Sequence, residues 1–173
     1  MKKSVLAVSA LAVAAGYAYA QNAGPNDAQI AAIVVAANQV DVDAGKLAQT
    51  RASSNDVKDF ARLMVTDHTG VNKAATELVT KLKVKPEENP TSTSLKKAGD
   101  ETLKRLQALK GSAFDKAYVD NEVTYHQTVL DAVDKTLIPS AKNAELKALL
   151  VKVRPAFVAH LEHAKHLQAS LKK

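Results

Sequence analysis

Hydrophobic residues recur with helical spacing along most of the chain. From Asn26 or Asp27, either of which can cap a helix, apolar residues follow at i, i+3, i+4 and i+7 up to about Ala52. The turn at residues 53–56 opens a second helix, which stops before Pro86 because proline cannot continue it. The apolar stripes of these two helices are Ile30, Ile33, Val34, Ala37, Val40, Ala44, Leu47 and Ala48, then Val57, Phe60, Ala61, Met64, Val71, Ala75, Leu78 and Leu82.

A shorter helix is predicted before the third long one. Residues 87–93 are polar and indicate a loop. A short amphipathic helix follows at residues 94–109 and is closed by Gly111. The third long helix then spans about residues 112–137, with Ser112 as its N-cap.

Two prolines shape the last part of the predicted fold. Pro139 breaks the third long helix, and a final helix runs from about residue 143 to residue 171. Pro155 lies inside that helix and is expected to kink or restart it, because proline removes one backbone donor. No segment alternates with a period of two, so no strand is predicted. The pattern therefore predicts an all-α, antiparallel four-helix bundle with an additional short helix before the third long helix.

The first twenty residues have the pattern of a secretory signal. Lys2 and Lys3 precede an uncharged run over residues 4–16, and Ala-Tyr-Ala follows at residues 18–20. The run is too short for a membrane span, although a membrane anchor or a first core helix is the alternative. Cleavage near Ala20 would place the mature chain in a bacterial periplasm, where any envelope association would be peripheral. The predicted organisation is a signal peptide at 1–20, a short loop at 21–25 and a single bundle domain at 26–173.

The composition restricts the available chemistry to histidine and carboxylates. The chain of 173 residues has no Cys, which excludes disulfides, Cys-ligated metal sites and a thiol nucleophile, and its five His are the remaining soft metal ligands. The formal net charge of +6 falls to +4 without Lys2 and Lys3, and the remaining Lys alternate with acids, so no nucleic-acid partner is predicted. No nucleotide-binding or hydrolase motif is present, so enzymatic activity stays uncertain and a binding role is favoured. The identity of any protein partner stays open.

Helical wheels place ionisable residues on the apolar side of every long helix. Asp67 lies nearer the edge of its helix, His163 flanks the apolar face, and His166 points to solvent. The inward residues are Asp41 in the first helix, His68 in the second, Glu122 and His126 in the third, and His160 in the fourth.

Buried acids and imidazoles must be paired or bind a metal, because an isolated buried charge is unstable. Iron, zinc, manganese and copper accept mixed imidazole and carboxylate ligands, so we predict one transition-metal ion held by two or three His and a carboxylate. Asp67 would orient an imidazole from outside the ligand set. A ferritin-type di-iron centre needs Glu three residues before His. The residues at those positions are Val65, Val123 and Phe157, so that centre is disfavoured.

The same residues allow an interpretation without metal. A His on an apolar face is often a hydrogen-bonded core residue, and Glu122 and His126 can form an ordinary i, i+4 pair. In that case the chain is an envelope-stress or interaction protein with a pH-sensitive buried polar network. Imidazoles titrate near pH 6 to 7, so acidification would charge them and loosen the bundle.

Three segments of the chain resemble the bacterial DUF4142 family. Their order, Asp-His, then Phe-Asp-x-x-Tyr-Val and His, then His-Leu, extends over nearly the whole mature chain. The segments are VKDFARLMVTDH at residues 57–68, FDKAYV at residues 114–119 with His126, and His160-Leu161 before Ala164.

The resemblance implies an exported, ferritin-like four-helix domain, and members are sometimes labelled outer membrane proteins. By position, the recurring His of the family fall on His68, His126 and His160. The acid of its first helix is usually Glu and falls here on Asp41, which is shorter. This difference would reposition a ligand contributed by the first helix.

Overall fold

The structure, a computed structural model, describes residues 24–171. This part of the chain is helical and contains no strand, which confirms the predicted all-α class. The predicted signal peptide at 1–20 and residues 21–23 of the predicted loop lie outside the described residues. The helices are α1 (Asp27–Arg51), α2 (Asn55–Lys81), α3 (Pro90–Gln107), α4 (Gly111–Ala132), α5 (Ile138–Ser140) and α6 (Ala144–Ser170), with a π-helical turn (Val133–Leu137) between α4 and α5.

The four long helices pack as a ring. α1 packs against α2 and α4, and both of these pack against α6, while the shorter α3 lies on the outside and packs mainly against α1. Short connections join α1 to α2 and α5 to α6, so α1 and α2 form one hairpin and α4, extended by α5, forms a second hairpin with α6, the α4–α6 hairpin. Within residues 24–171, no helix has both the length and the hydropathy needed to cross a membrane.

Two apolar layers fill the bundle, one near each end. The turn-end layer lies next to the α1–α2 turn, and the π-turn layer surrounds the π-helical turn. The turn-end layer consists of Ala44, Ala48, Ala52, Val57, Phe60, Ala61, Met64, Leu106, Phe114, Tyr118, Val119, Ala164 and Leu167. The π-turn layer consists of Ile30, Ile33, Val34, Ala75, Val133, Leu137, Ala141, Leu146 and Leu150.

The α1–α2 turn is held by a residue from α4. The buried carboxylate of Asp115 accepts hydrogen bonds from the backbone N–H groups of Ser53 and Ser54, both at 2.9 Å, and from the Ser53 hydroxyl. The Ser54 hydroxyl caps α2 by accepting from the N–H of Val57. Asn26 caps α1 in a reciprocal pair with Gln29, so both predicted N-termini are confirmed.

α3 begins earlier than predicted, at Pro90 rather than at Ser94. Asn89 is its N-cap, because its side chain accepts from the N–H groups of Thr91 and Ser92 at 3.1 Å. Proline suits the first helical position, where its missing N–H would have no helical partner. The predicted polar loop therefore ends at residue 89.

The predicted roles of Gly111 and Ser112 are wrong. α3 ends at Gln107, and Gly111 begins α4 with a φ of +57°, a left-handed conformation that glycine adopts without steric cost. Ser112 lies inside α4 and cannot cap it. Lys110 occupies the N-cap position without a side-chain cap bond.

The two prolines interrupt the helices less than predicted. α4 continues through the π-helical turn into α5, so helical backbone ends at Ser140 rather than near residue 137. Pro139 lies in the first turn of α5, where a proline is tolerated. α6 does not restart at Pro155 but runs unbroken to Ser170. Val151, whose carbonyl loses its helical donor at Pro155, is 52% exposed, so water can take that donor's place.

Candidate metal centre

A buried polar layer separates the two apolar layers. On each long helix its residues fall between those of the turn-end layer and those of the π-turn layer. Every residue in it is at most 3% exposed. The polar layer consists of Asn38 and Asp41 from α1, His68 from α2, Glu122 and His126 from α4, and His160 from α6.

Three imidazole rings from three helices meet in this layer. The ring centroids of His68, His126 and His160 are separated by 5.2 to 5.5 Å. One nitrogen from each ring lies within 4.8 Å of the nitrogens from the other two. Phe157 stacks on His68 with a centroid distance of 5.3 Å and an interplanar angle of 10°, which holds that ring in place.

Hydrogen-bond acceptors fix the protonated nitrogen of two of these rings. Asn38 donates its amide to the carbonyl of Val34, so its Oδ1 accepts at 2.7 Å from Nδ1 of His68. The Glu122 carbonyl accepts at 3.1 Å from Nδ1 of His126. Each neutral ring therefore donates from Nδ1 and carries its lone pair on Nε2.

In His160 the protonated nitrogen is Nε2 instead of Nδ1. Its Nε2 donates to the carboxylate of Asp67 at 2.9 Å, which leaves the lone pair on Nδ1. The Nε2 atoms of His68 and His126 and Nδ1 of His160 are buried and have no hydrogen-bond partner among residues 24–171. Three buried rings with centroids 5.2 to 5.5 Å apart thus each carry a lone pair without a donor among the described residues, an arrangement that a bound cation would satisfy.

Two carboxyl groups lie beside the Nδ1 atoms of His68 and His126. An oxygen of Asp41 lies 3.5 Å from Nδ1 of His68, and an oxygen of Glu122 lies 3.4 Å from Nδ1 of His126. Asp41, Glu122 and His126 form a second group whose ligand atoms lie within 4.8 Å of one another. Asp41 and Glu122 interact through their side chains, and no other group in the described part of the chain makes a hydrogen bond of good geometry to Oδ1 of Asp41 or to the carboxyl oxygens of Glu122.

Burial shifts the titration of both kinds of group toward the neutral form. It lowers the pKa of His68 to about 2 and that of His126 to about 4, and it lowers the pKa of His160 despite the nearby Asp67. Burial also raises the pKa of Glu122 to about 8, and burial together with the Glu122 charge raises that of Asp41. At neutral pH the imidazoles are therefore neutral, as metal ligands must be, while Glu122 is mostly protonated, so a metal that bound it would displace its proton.

The five inward residues of the sequence analysis all lie in the polar layer. Asp67 reaches His160 from the surface, with 37% of its side chain exposed. His163 does not join the rings: it is exposed, and its ring packs edge-on against Phe60 at a centroid distance of 5.0 Å. His166 is also exposed, as predicted.

Sequence reasoning missed two residues around this site. Asn38 was overlooked, although its position four residues after Val34 and three before Asp41 puts it on the apolar face of α1. The spacing of α4 also gives no sign of Tyr118, whose hydroxyl is buried without a hydrogen-bond partner among the described residues. Burial, followed by the nearby Glu122 charge, raises the pKa of that hydroxyl.

These features define a helical-bundle protein with a buried layer of imidazole and carboxyl groups. The chain belongs to the DUF4142 family, a domain of unknown function, whose family model matches residues 12–167. No curated protein and no solved structure matches the chain. The family description names no chemistry, so the functional argument depends on the site itself.

Proposed function

We propose that this protein is an exported, ferritin-like four-helix-bundle protein that binds one transition-metal ion through His68, His126 and His160. The observation that carries the proposal is the group of three adjacent buried imidazole rings, each with one nitrogen that lacks any hydrogen-bond partner among residues 24–171. Binding, rather than catalysis, is the role proposed for the site.

The donor set suits iron, copper, zinc or manganese. Imidazole nitrogens bind borderline metal ions, and the carboxyl groups of Asp41 and Glu122 add oxygen donors beside the rings. The other nitrogen of each ring donates a hydrogen bond to an oxygen, and this arrangement orients histidine ligands in metal sites. Asp67 performs this orienting role for His160 from the protein surface.

Export to the periplasm is the second part of the proposal. It is supported by the basic start, the uncharged run and the Ala-Tyr-Ala pattern of the first twenty residues, together with the absence of Cys. Mass spectrometry of the protein isolated from its native cells should give a mature chain that starts near Gln21. Fractionation of the cells should recover it from the periplasm or in peripheral association with the envelope. A chain that retains residues 1–20 would contradict the export proposal and leave the metal proposal intact.

Metal uptake tests the site directly. Purified protein is stripped with a chelator and titrated separately with iron(II), copper(II), zinc and manganese(II), and the bound metal is counted by elemental analysis. One ion per chain is expected, with a rise in melting temperature for each metal that binds. His126→Gln should weaken the binding at least about tenfold, because it removes one of the three nitrogens.

The matched control is His163→Gln, which removes an exposed imidazole from the same helix as His160. It should bind metal as the unmodified protein does. Failure to bind any of the four metals would overturn the proposal, and so would equal losses in the two variants. If chelation leaves the melting temperature unchanged at every pH, the metal-free polar network of the sequence analysis becomes the better account of the site.

A further inference from the structure

A cavity of about 150 Å³ lies beside the polar layer. It extends from Asp41 and His68 to the π-helical turn, so it adjoins the candidate metal centre without being part of it. Most of its wall is aliphatic or aromatic and comes from α1, α4, the π-helical turn and α6. The wall residues that matter most here are Ile33, Val129, Leu137, Leu150, Val153 and Phe157.

A cavity of this kind is unusual in a protein interior. Cores are close-packed and contain few voids larger than a water molecule. An apolar cavity of about this volume stays dry and takes up benzene or xenon, because water inside it finds too few hydrogen-bond partners. Asn38, Asp41 and His68 lie at one end of the cavity and the rest of its wall is mainly apolar, so it favours an uncharged guest with an apolar body.

The cavity has a route to the surface between α3 and α4. Leu95, Tyr125 and Thr128 line the cavity and also line a groove on the outside of these two helices. α3 packs mainly against α1 and makes little contact with α4. A small displacement of α3 would therefore admit a guest without disturbing the ring of long helices.

We propose that this cavity is a second binding site, for a small uncharged molecule with an apolar body about the size of one aromatic ring. Its occupant would contact the ring of His68, on the side opposite the turn-end layer, and would be held by Phe157 and the aliphatic wall. The π-helical turn contributes Val133 and Leu137 to this wall, and such turns are common at functional sites. The site needs no metal, so it stands independently of the proposed metal centre.

Benzene is the probe that tests the cavity. Chelator-treated protein is titrated with benzene, and binding is followed by the melting temperature and by the NMR shifts of methyl groups of Val129, Leu137 and Leu150. We expect saturable 1:1 binding that raises the melting temperature and moves these methyl signals. Benzoate, which has a similar ring and a charge, should produce neither change, because a charged group is excluded from an apolar cavity.

Two variants of α4 separate the cavity from non-specific binding. Ala132→Leu adds a side chain to the cavity wall and should abolish the benzene effect, whereas Ala113→Leu adds the same side chain at an exposed position and should retain it. If Ala132→Leu does not fold, Ala37→Leu fills the same cavity from α1. The proposal is overturned if benzene has no saturable effect on the unmodified protein, or if filled and control variants respond alike. If the unmodified protein binds benzene but none of the four metals, only the proposed metal centre is contradicted.

Discussion

The turn-end layer and the polar layer draw on the same four long helices and are equally buried. They nevertheless contribute to stability in opposite ways. Phe60 and Tyr118 in the turn-end layer are fully buried, with their rings in edge contact at 6.2 Å. Glu122 in the polar layer is just as buried, but neither of its carboxyl oxygens has a hydrogen bond of good geometry within residues 24–171, and its side-chain partner Asp41 is a second acid. Apolar burial stabilises the folded chain, whereas an unpaired buried polar group destabilises it. Because the polar layer destabilises the ligand-free protein, its presence calls for a functional explanation.

The largest effect is expected in the turn-end layer. Phe60→Ala removes a ring that is 0% exposed and should lower the free energy of unfolding by about 3–5 kcal/mol, because it loses apolar burial and leaves a cavity. Urea unfolding of the metal-free protein measures this loss. The matched control is Leu63→Ala on the same helix, where the side chain is 37% exposed and less than about 1 kcal/mol should be lost. Equal losses at the two positions would mean that the layer is not a packed core.

A substitution in the polar layer is expected to raise stability rather than lower it. Glu122→Met replaces a buried carboxyl group whose side-chain partner is a second acid with an apolar side chain of similar length, and it should raise the stability of the metal-free protein by about 1–3 kcal/mol. Any stabilisation by added metal should shrink in the same variant. Glu162→Met changes an exposed residue of α6 and should alter stability by less than about 0.5 kcal/mol. A destabilised Glu122→Met protein would show that the carboxyl group is held by a partner.

Per pH unit, the smallest effect is the pH dependence of the polar layer, which the turn-end layer cannot produce. The folded-state pKa of Glu122, about 8, lies above its ordinary value of 4.5, so the stability that its protonated form contributes is complete below pH 4.5 and declines as the pH rises to about 8. The stability of the metal-free protein minus that of Glu122→Gln should therefore fall with rising pH in this window, by at most about 1.4 kcal/mol per pH unit. Urea midpoints measured from pH 5 to pH 8 test this slope. A stability difference that does not change with pH would mean that Glu122 is charged in the folded protein.

Local signals explain which parts of the fold could be predicted. Asn26 and Ser54 cap α1 and α2 through bonds to residues three positions away, and Asn143 caps α6 in the same way. Helical periodicity likewise identified the inward His and acids, because a wheel depends only on spacing. The early start of α3 follows from Asn89 and Pro90, a local signal that was present but was interpreted as a loop.

Other features depend on packing and could not be predicted from spacing. The π-helical turn places Val133 and Leu137 in the π-turn layer, and helical spacing alone does not distinguish it from the α-helix before it. The wheel also gives no tautomer: the free nitrogen is Nε2 in His68 but Nδ1 in His160, because Asn38 and Asp67 approach the two rings from different sides. The direction of each lone pair is therefore a property of the assembled bundle.

The bonds of Asp115 also have a consequence for how the chain folds. Its carboxylate joins Ser53 and Ser54 across 61 to 62 residues of sequence, so the α1–α2 turn keeps two backbone donors without their final acceptor until α4 docks. Closing so long a loop carries an entropy cost that only the packed bundle recovers. We therefore expect the α1–α2 hairpin and the α4–α6 hairpin to fold in one cooperative transition, and a fragment that ends before α4 to lack a stable turn.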